Sequence, residues 1–306
     1  MTNIVECVSK DNSMDWDVVE TPILYRKPPQ GEELRGDLIE DPNYKVLLAN
    51  DDWQPVGQPY GSSYHPSSTA MFWKVIKEGM KDVPYKVMSA GSVDDRQKIF
   101  ASLKISDGFR VGDREFNDFI TLLDSFDKST SLQARYTNVC VVCQNTFQAA
   151  MYSGNQIGKV KHTLMIEENV ERLIKAIECF TGTSQLYEDV LTNADKEACT
   201  RDEAKSWLTG IEGRNATEIS NALLQKSARM TELFDNGKGN SGRTRLDALS
   251  AFTEFHTFES SNRKQSNSQY LSSEWGASGS AKTMAITTFE KDWNRNVAKG
   301  ESLLAS

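Results

Sequence analysis

Apolar residues recur along this chain with two different periods, and the change of period divides it. From residue 84 to 143 the spacing is two, the mark of strands whose alternate side chains face a core. Residues 84–90 predict one strand, and Ile99, Ala101, Leu103 and Ile105 alternate with Phe100, Ser102 and Lys104 along a second. Asp107-Gly108 reads as a turn. Phe116 to Phe126 reads as a strand buried on much of both faces, Asp127-Lys128-Ser129 as the next turn, and Leu132 to Cys143 as a further strand. Asn145 then predicts a short helix through Phe147 and Met151, packed across the sheet.

After Gly158 the period becomes helical. Thr163 predicts the cap of a helix carrying Ile166, Val170, Leu173, Ile174 and Ile177, with Glu167 and Glu168 in the first turn, where carboxylates favour the helix dipole. Gly182 ends it. Thr200 to Glu203 has capping-box spacing ahead of Ala204 and Trp207. Thr217 precedes Leu223, Met230 and Phe234, and a helix from about Thr244 presents Leu246, Leu249 and Phe252. The run Asn236 to Gly242 reads as a flexible linker, residues 259–280 as a long Ser-rich surface loop, and a last helix carries Met284, Phe289, Trp293 and Val297. Ahead of the sheet, residues 1–43 read as an arm punctuated by Pro28-Pro29 and Asp41-Pro42, Tyr44 to Ala49 as a short strand, and Ser67-Ser68 as the cap of a helix bearing Met71, Phe72, Val75, Ile76 and Met80. The expected fold class is α+β: an antiparallel β-meander crossed by a helix over residues 44–160, then a mainly helical region over 161–306.

With 306 residues, a net charge of −8 and 38 % hydrophobic residues, the chain suits a folded protein with a sizeable core. No apolar run approaches the roughly 18 residues of a membrane span. Glu6, Asp11, Asp15 and Asp17 argue against a signal peptide, so the expected location is the cytoplasm. The charge is uneven. Residues 164–236 hold 14 acids against 8 bases, whereas residues 84–163 and 237–306 each carry a surplus of two cations. Five cysteines at irregular spacing do not make a disulfide framework, and the one CxxC, Cys140 and Cys143, lacks a second ligand pair for zinc. No metal, no cofactor and no enzyme activity is expected. His65, His162 and His256 are the only histidines, and no phosphate loop, nucleophile elbow or metalloprotease motif occurs.

The candidate chemistry lies in the basic stretches. Arg243, Arg245, Arg263, Lys264 and Lys282 surround Tyr270 and Trp275, and Lys159 and Lys161 stand near the sheet's end. Cations for phosphates with aromatic faces for bases are what single-strand binding requires; the alternative is that Trp275 anchors a loop and the cations are merely solvated. Asn145, Thr146 and His162 stand at expected helix starts, where a phosphate can bind, although a helix cap is the preferred reading of Asn145 and local packing that of His162.

Four stretches in this order resemble a known family: Ala90-Gly91-Ser92 with the strand after it, Val141 to Thr146, Lys161-His162-Thr163, and Ala248 to His256, with Leu271 to Gly276 leading into Lys282. They resemble the phage- and plasmid-associated proteins of domain-of-unknown-function family 932. Cys140 replaces an arginine usual in that family, Asp127-Lys128-Ser129 replaces its usual Asp-Gly-Ser turn, and its N-terminal Trp-His-Gly element is absent. The resemblance implies a phage or mobile-element origin and brings no established reaction. Two functions follow as expectations. One is a homo-oligomeric protein that binds or anneals single-stranded nucleic acid in recombination or replication. The other is a counter-defence protein that binds a host protein through the acidic surface.

Overall fold

A computed structural model describes residues 14–26, 37–140, 146–147, 156–179, 184–260 and 277–306. Its sheets are antiparallel and its C-terminal half helical, so the class is α+β as the periodicity predicts. The chain divides into two compact units, and it crosses between them within three strands. The first unit comprises residues 1–103, 121–135 and 156–180, and the second residues 104–120, 136–155 and 181–306.

The first correction concerns the arm. Val18–Arg26 (β1) and Leu38–Ala49 (β2) form an antiparallel pair, extended by Tyr60–Gly61 (β3). Pro22 and Pro42 sit in strands that keep few buried side chains, where a missing N–H is cheap, and the register shifts between Pro22 and Leu24. Helix α1, Thr69–Gly79, begins at Ser68, whose side chain accepts from Met71 N. Asp17 adds a second cap, accepting from Thr69 N at 2.8 Å.

The larger sheet runs in the order β4 (Lys86–Val93), β5 (Lys98–Val111), β6 (Arg114–Ser125), β7 (Leu132–Cys140), β8 (Thr146–Phe147), and β9 (Gln156–Val160) pairs with β7. Three differences from the periodicity stand out. Asp107-Gly108 lies inside β5 instead of ending it. Gly108 adopts φ +61°, and a Cβ there would meet Phe116 O at 2.1 Å, so the ladder is kinked where only glycine fits. Thr146 and Phe147 pair with Val139 and Asn138 as a strand, so the helix expected from Asn145 does not hold at these two residues. β-branched and aromatic residues favour that choice. Gly158, after which the period turns helical, lies within a strand, β9, that the periodicity does not predict.

In the first unit α1 packs beside α2, Ile166–Glu178. Lys74 pairs with Glu171 and Lys81 with Glu178, one salt bridge every two turns. Helix α2 starts at Met165 without a side-chain cap; Thr163 instead closes the preceding turn through its carbonyl, which accepts from Ile166 N at 2.9 Å. Phe72, Val75, Ile76, Val170, Leu173 and Ile174 are buried in this unit.

The second unit is built from α3 (Ser184–Lys196), α4 (Arg201–Glu212), α5 (Asn221–Asn236), α6 (Arg245–Glu254) and α7 (Ala277–Leu304). Thr200 caps α4 as its spacing predicts, Thr244 caps α6 where a helix is expected to begin, and α5 is capped by Ser220. Helix α6 is buried from Leu246 to Glu254, and its capping box, Thr244 with Asp247, is complete. A π turn, Phe255–Glu259, continues it. Trp207 of α4 stacks on Trp293 of α7 with centroids 4.9 Å apart, and Phe252 and Phe289 meet Trp207 edge-on. Helices α4 and α7 touch backbone to backbone. A Cβ on Gly210 would lie 1.8 Å from Asn296 O, and one on Gly300 1.7 Å from Ser206 O. No helix among the described residues is long and apolar enough to cross a membrane.

Candidate nucleic-acid interface

Of the nine cationic or aromatic residues expected to bind nucleic acid, Arg263, Lys264, Tyr270 and Trp275 lie outside the described residues, as do the phosphate candidate Asn145 and Cys143 of the CxxC. Thr146 is placed only by its backbone, in β8. The remaining five are distributed between the two units.

Arg243 and Arg245 flank the cap of α6 in the second unit. A short antiparallel bridge pins this stretch to the end of α3: Cys199 N donates to Arg243 O at 2.8 Å, and Arg245 N to Glu197 O at 3.0 Å. From the other side the Asp247 carboxylate accepts from Arg243 N, Thr244 N and Ser241 Oγ. The backbone that carries both arginines is therefore fixed before any ligand arrives. The Arg243 side chain is exposed. The Arg245 guanidinium lies over the Trp293 ring, 4.6 Å from its centroid, a cation–π contact. Its nearest carboxylates, Glu203 and Glu197, stand at 3.8 and 4.0 Å, beyond hydrogen-bond distance. It lines an open cleft of about 310 Å3 with Asn193, Lys196, Glu197, Phe289 and Glu290.

Lys282 is a correction. Its side chain is 0 % exposed, and its ammonium donates to Thr257 Oγ1 at 3.3 Å. A lysine enclosed in a helical core cannot reach a phosphate. The helical period of the last segment, begun one turn earlier at Ala277, turns position 282 inward with Ala285, Ile286 and Phe289.

Lys159 and Lys161 lie at the end of β9 in the first unit. Both are exposed, while Val160 between them is buried. Lys159 stands opposite Gln133 of β7, which accepts from Arg135 at 3.3 Å. Among the described residues no carboxylate pairs with either lysine.

His162, between these lysines and α2, does not offer a phosphate site. It is buried, its Nε2 donates to Asp124 Oδ1 at 2.8 Å, and its ring meets Tyr64 edge-on. Asp124, 0 % exposed, also accepts from Ser67 Oγ and Ser125 N. A carboxylate already occupies the place a phosphate would take. The serine and the histidine both bond to the aspartate instead of to each other, so these residues do not form a serine–histidine nucleophile pair.

The glycine-rich stretch before α6 is a further correction, since it is not a free linker. Arg114 Nε and Nη2 donate to Gly239 O at 2.9 and 2.8 Å, and Nη2 also reaches Asp247. Asn240 Nδ2 closes onto Leu233 O at 2.8 Å. Neither Arg114 nor Asp247 stood out in the sequence. The only local sign was the place of Asp247 at the third position of a capped helix.

The π turn carries a further polar group. His256 Nε2 lies 3.1 Å from Glu212, which also accepts from Lys226 at 2.6 Å. Burial alone would raise the Glu212 carboxyl, but these two donors overcome it and bring it down to about 2. Burial pushes the neighbouring Glu254 up. This arrangement consumes its charges internally, as a structural ion pair does. Among the described residues no group of three or more histidine, cysteine or acidic side chains is placed to hold a metal ion.

No curated protein and no solved structure matches the chain significantly. One family model does, over residues 59–275, which covers most of the chain and both capped helices α4 and α6. The stretches singled out from the sequence, from Ala90-Gly91-Ser92 to Glu274, fall inside that match, and the chain belongs to the family described as domain of unknown function DUF932.

Proposed function

We propose that the protein binds single-stranded nucleic acid, without reading its sequence, through Arg243 and Arg245 at the head of α6 and through Lys159 and Lys161 at the end of β9. One observation carries the reading: the backbone of Arg243 and Arg245 is held on both sides, by the bridge to residues 197–199 and by Asp247, while among the described residues no carboxylate comes closer than 3.8 Å to the Arg245 guanidinium or pairs with Arg243. Preorganised cations lose little entropy on meeting a phosphate. The net charge of −8 opposes a polyanion at long range, so binding is local and strongly screened by salt. Such weak patches gain when several copies line up on one strand, which suits annealing in phage or mobile-element recombination.

The test is fluorescence anisotropy with single-stranded DNA, single-stranded RNA and duplex DNA over a salt series. Replacing Arg243 and Arg245 by Ala weakens single-strand binding and flattens the salt slope by roughly 0.7 for each phosphate that is no longer neutralised. Replacing Lys159 and Lys161 gives the same outcome independently. No binding at about 50 mM salt, where attraction to phosphates is strongest, would falsify the proposal.

A further inference from the structure

Between α1 and α2 the first unit has an open cleft of about 530 Å3 lined by the apolar Ala70, Met71 and Val170 and by the charged Lys74, Glu167, Glu168 and Glu171. The one ammonium in this lining is engaged by Glu171, with Glu78 at 4.0 Å, and Glu168 pairs with Arg172 outside the cleft. Among the described residues Glu167 has no ion-pair partner. With Glu171 held by Lys74 and Glu168 by Arg172, Glu167 is the uncompensated carboxylate that leaves the cleft acidic. Immediately before these glutamates the chain exposes two large apolar side chains in succession, Leu164 at 79 % and Met165 at 52 %. The turn from Lys161 to Ile166 fixes them there, since Thr163 N donates to Lys161 O at 2.9 Å and Ile166 N to Thr163 O at 2.9 Å.

Exposed leucine and methionine side by side are costly in water, and methionine adapts to varied partners. Apolar lining, acidic side chains and the exposed apolar pair that precedes them in the chain together specify the occupant's chemistry. We infer that this cleft docks a basic amphipathic segment of another protein, with an apolar side chain against Met71, Val170, Leu164 and Met165 and a lysine or arginine beside Glu167 and Glu168. A nucleic acid is repelled by the same carboxylates, and a lipid surface of anionic headgroups equally so. The inference is independent of the proposed nucleic-acid interface, which uses other residues.

The probe is a fluorescein-labelled amphipathic lysine–leucine helix titrated with the full chain at low and at about 150 mM salt, where screening reaches about 8 Å. Leu164→Ser with Met165→Ser leaves the charge unchanged and is expected to weaken binding about tenfold, the effect of removing a buried apolar anchor. Glu167→Gln with Glu168→Gln weakens it and reduces its salt dependence. Glu218→Gln with Glu301→Gln makes the same change of charge at exposed sites elsewhere and leaves affinity unchanged. All the replaced side chains are exposed, and circular dichroism verifies that the variants fold. The inference is overturned if the wild-type chain does not bind the probe, or if the control pair loses as much as the cleft pair. It is overturned equally if sedimentation shows a dimer that Leu164→Ser with Met165→Ser abolishes, because a second copy then covers this surface.

Discussion

Arg114, the first residue of β6, donates to the carboxylate of Asp247, 133 residues further along the chain, and both side chains are buried. The pair joins the glycine-rich stretch, the cap of α6 and the strand into one polar knot. Gly239 O, Ser241 Oγ and the amides of residues 243 and 244 supply its other bonds, and Arg114 Nη1 is buried without a hydrogen-bond partner among the described residues. Removing one partner leaves a buried charge without its counter-charge. Arg114→Met is therefore expected to destabilise the protein by about 3–5 kcal/mol, read as a lowered urea midpoint at unchanged slope. Asp247→Asn combined with Arg114→Met recovers part of that loss, because the isolated carboxylate is gone.

Acid stability follows from Glu212. Its folded-state value of about 2 lies below the ordinary 4.5, because His256 and Lys226 hold the ionised form against burial. A depressed carboxyl contributes stability that is fully present above pH 4.5 and is lost as pH falls toward about 2. Glu212→Gln is expected to be less stable than wild type at pH 7 and to show a flatter loss of stability between pH 4.5 and 2. Equal pH dependence of the two proteins in thermal melts would remove Glu212 from the account.

The crossing of α4 and α7 has no room for a side chain at Gly210 or Gly300. Gly210→Ala is expected to cost about 1–3 kcal/mol or more by forcing the helices apart, even though alanine favours an isolated helix. A stabilised Gly210→Ala protein would show that the two backbones do not meet this closely.

The two described thiols outside the sheet differ in reactivity. Cys179 is exposed, whereas burial raises Cys199 to about 12. The thiolate is the reactive form. Maleimide is expected to modify Cys179 in the folded protein and Cys199 only after denaturation, and peptide mapping by mass spectrometry distinguishes them. Early modification of Cys199 would mean that the bridge from Cys199 N to Arg243 O opens readily.

Helices α1, α4 and α6 were legible because a cap and an apolar stripe are both local, and Ser68, Thr200 and Thr244 do what their spacing predicts. Strand β9 was not, because Gly158 resembles a stop. Its role is steric: a Cβ there would come within 2.5 Å of Leu173 Cδ1, so the missing side chain lets the strand lie close to α2. The β1–β2 pair was hidden by prolines and charges that an exposed strand tolerates. At the candidate interface, sequence could point to cationic stretches. It could not show which cations are enclosed, since enclosure depends on partners such as Thr257 for Lys282 and Asp124 for His162.

The enclosure of Lys282 makes it a natural reporter. Acylating reagents modify amines that reach water, so Lys159 and Lys161 take up label at once while Lys282, at 0 % exposure, is shielded until its surroundings separate. The mass tag it accumulates over time then counts how often the helical unit opens, residue by residue and under native conditions, with the exposed lysines as the internal clock for reagent strength.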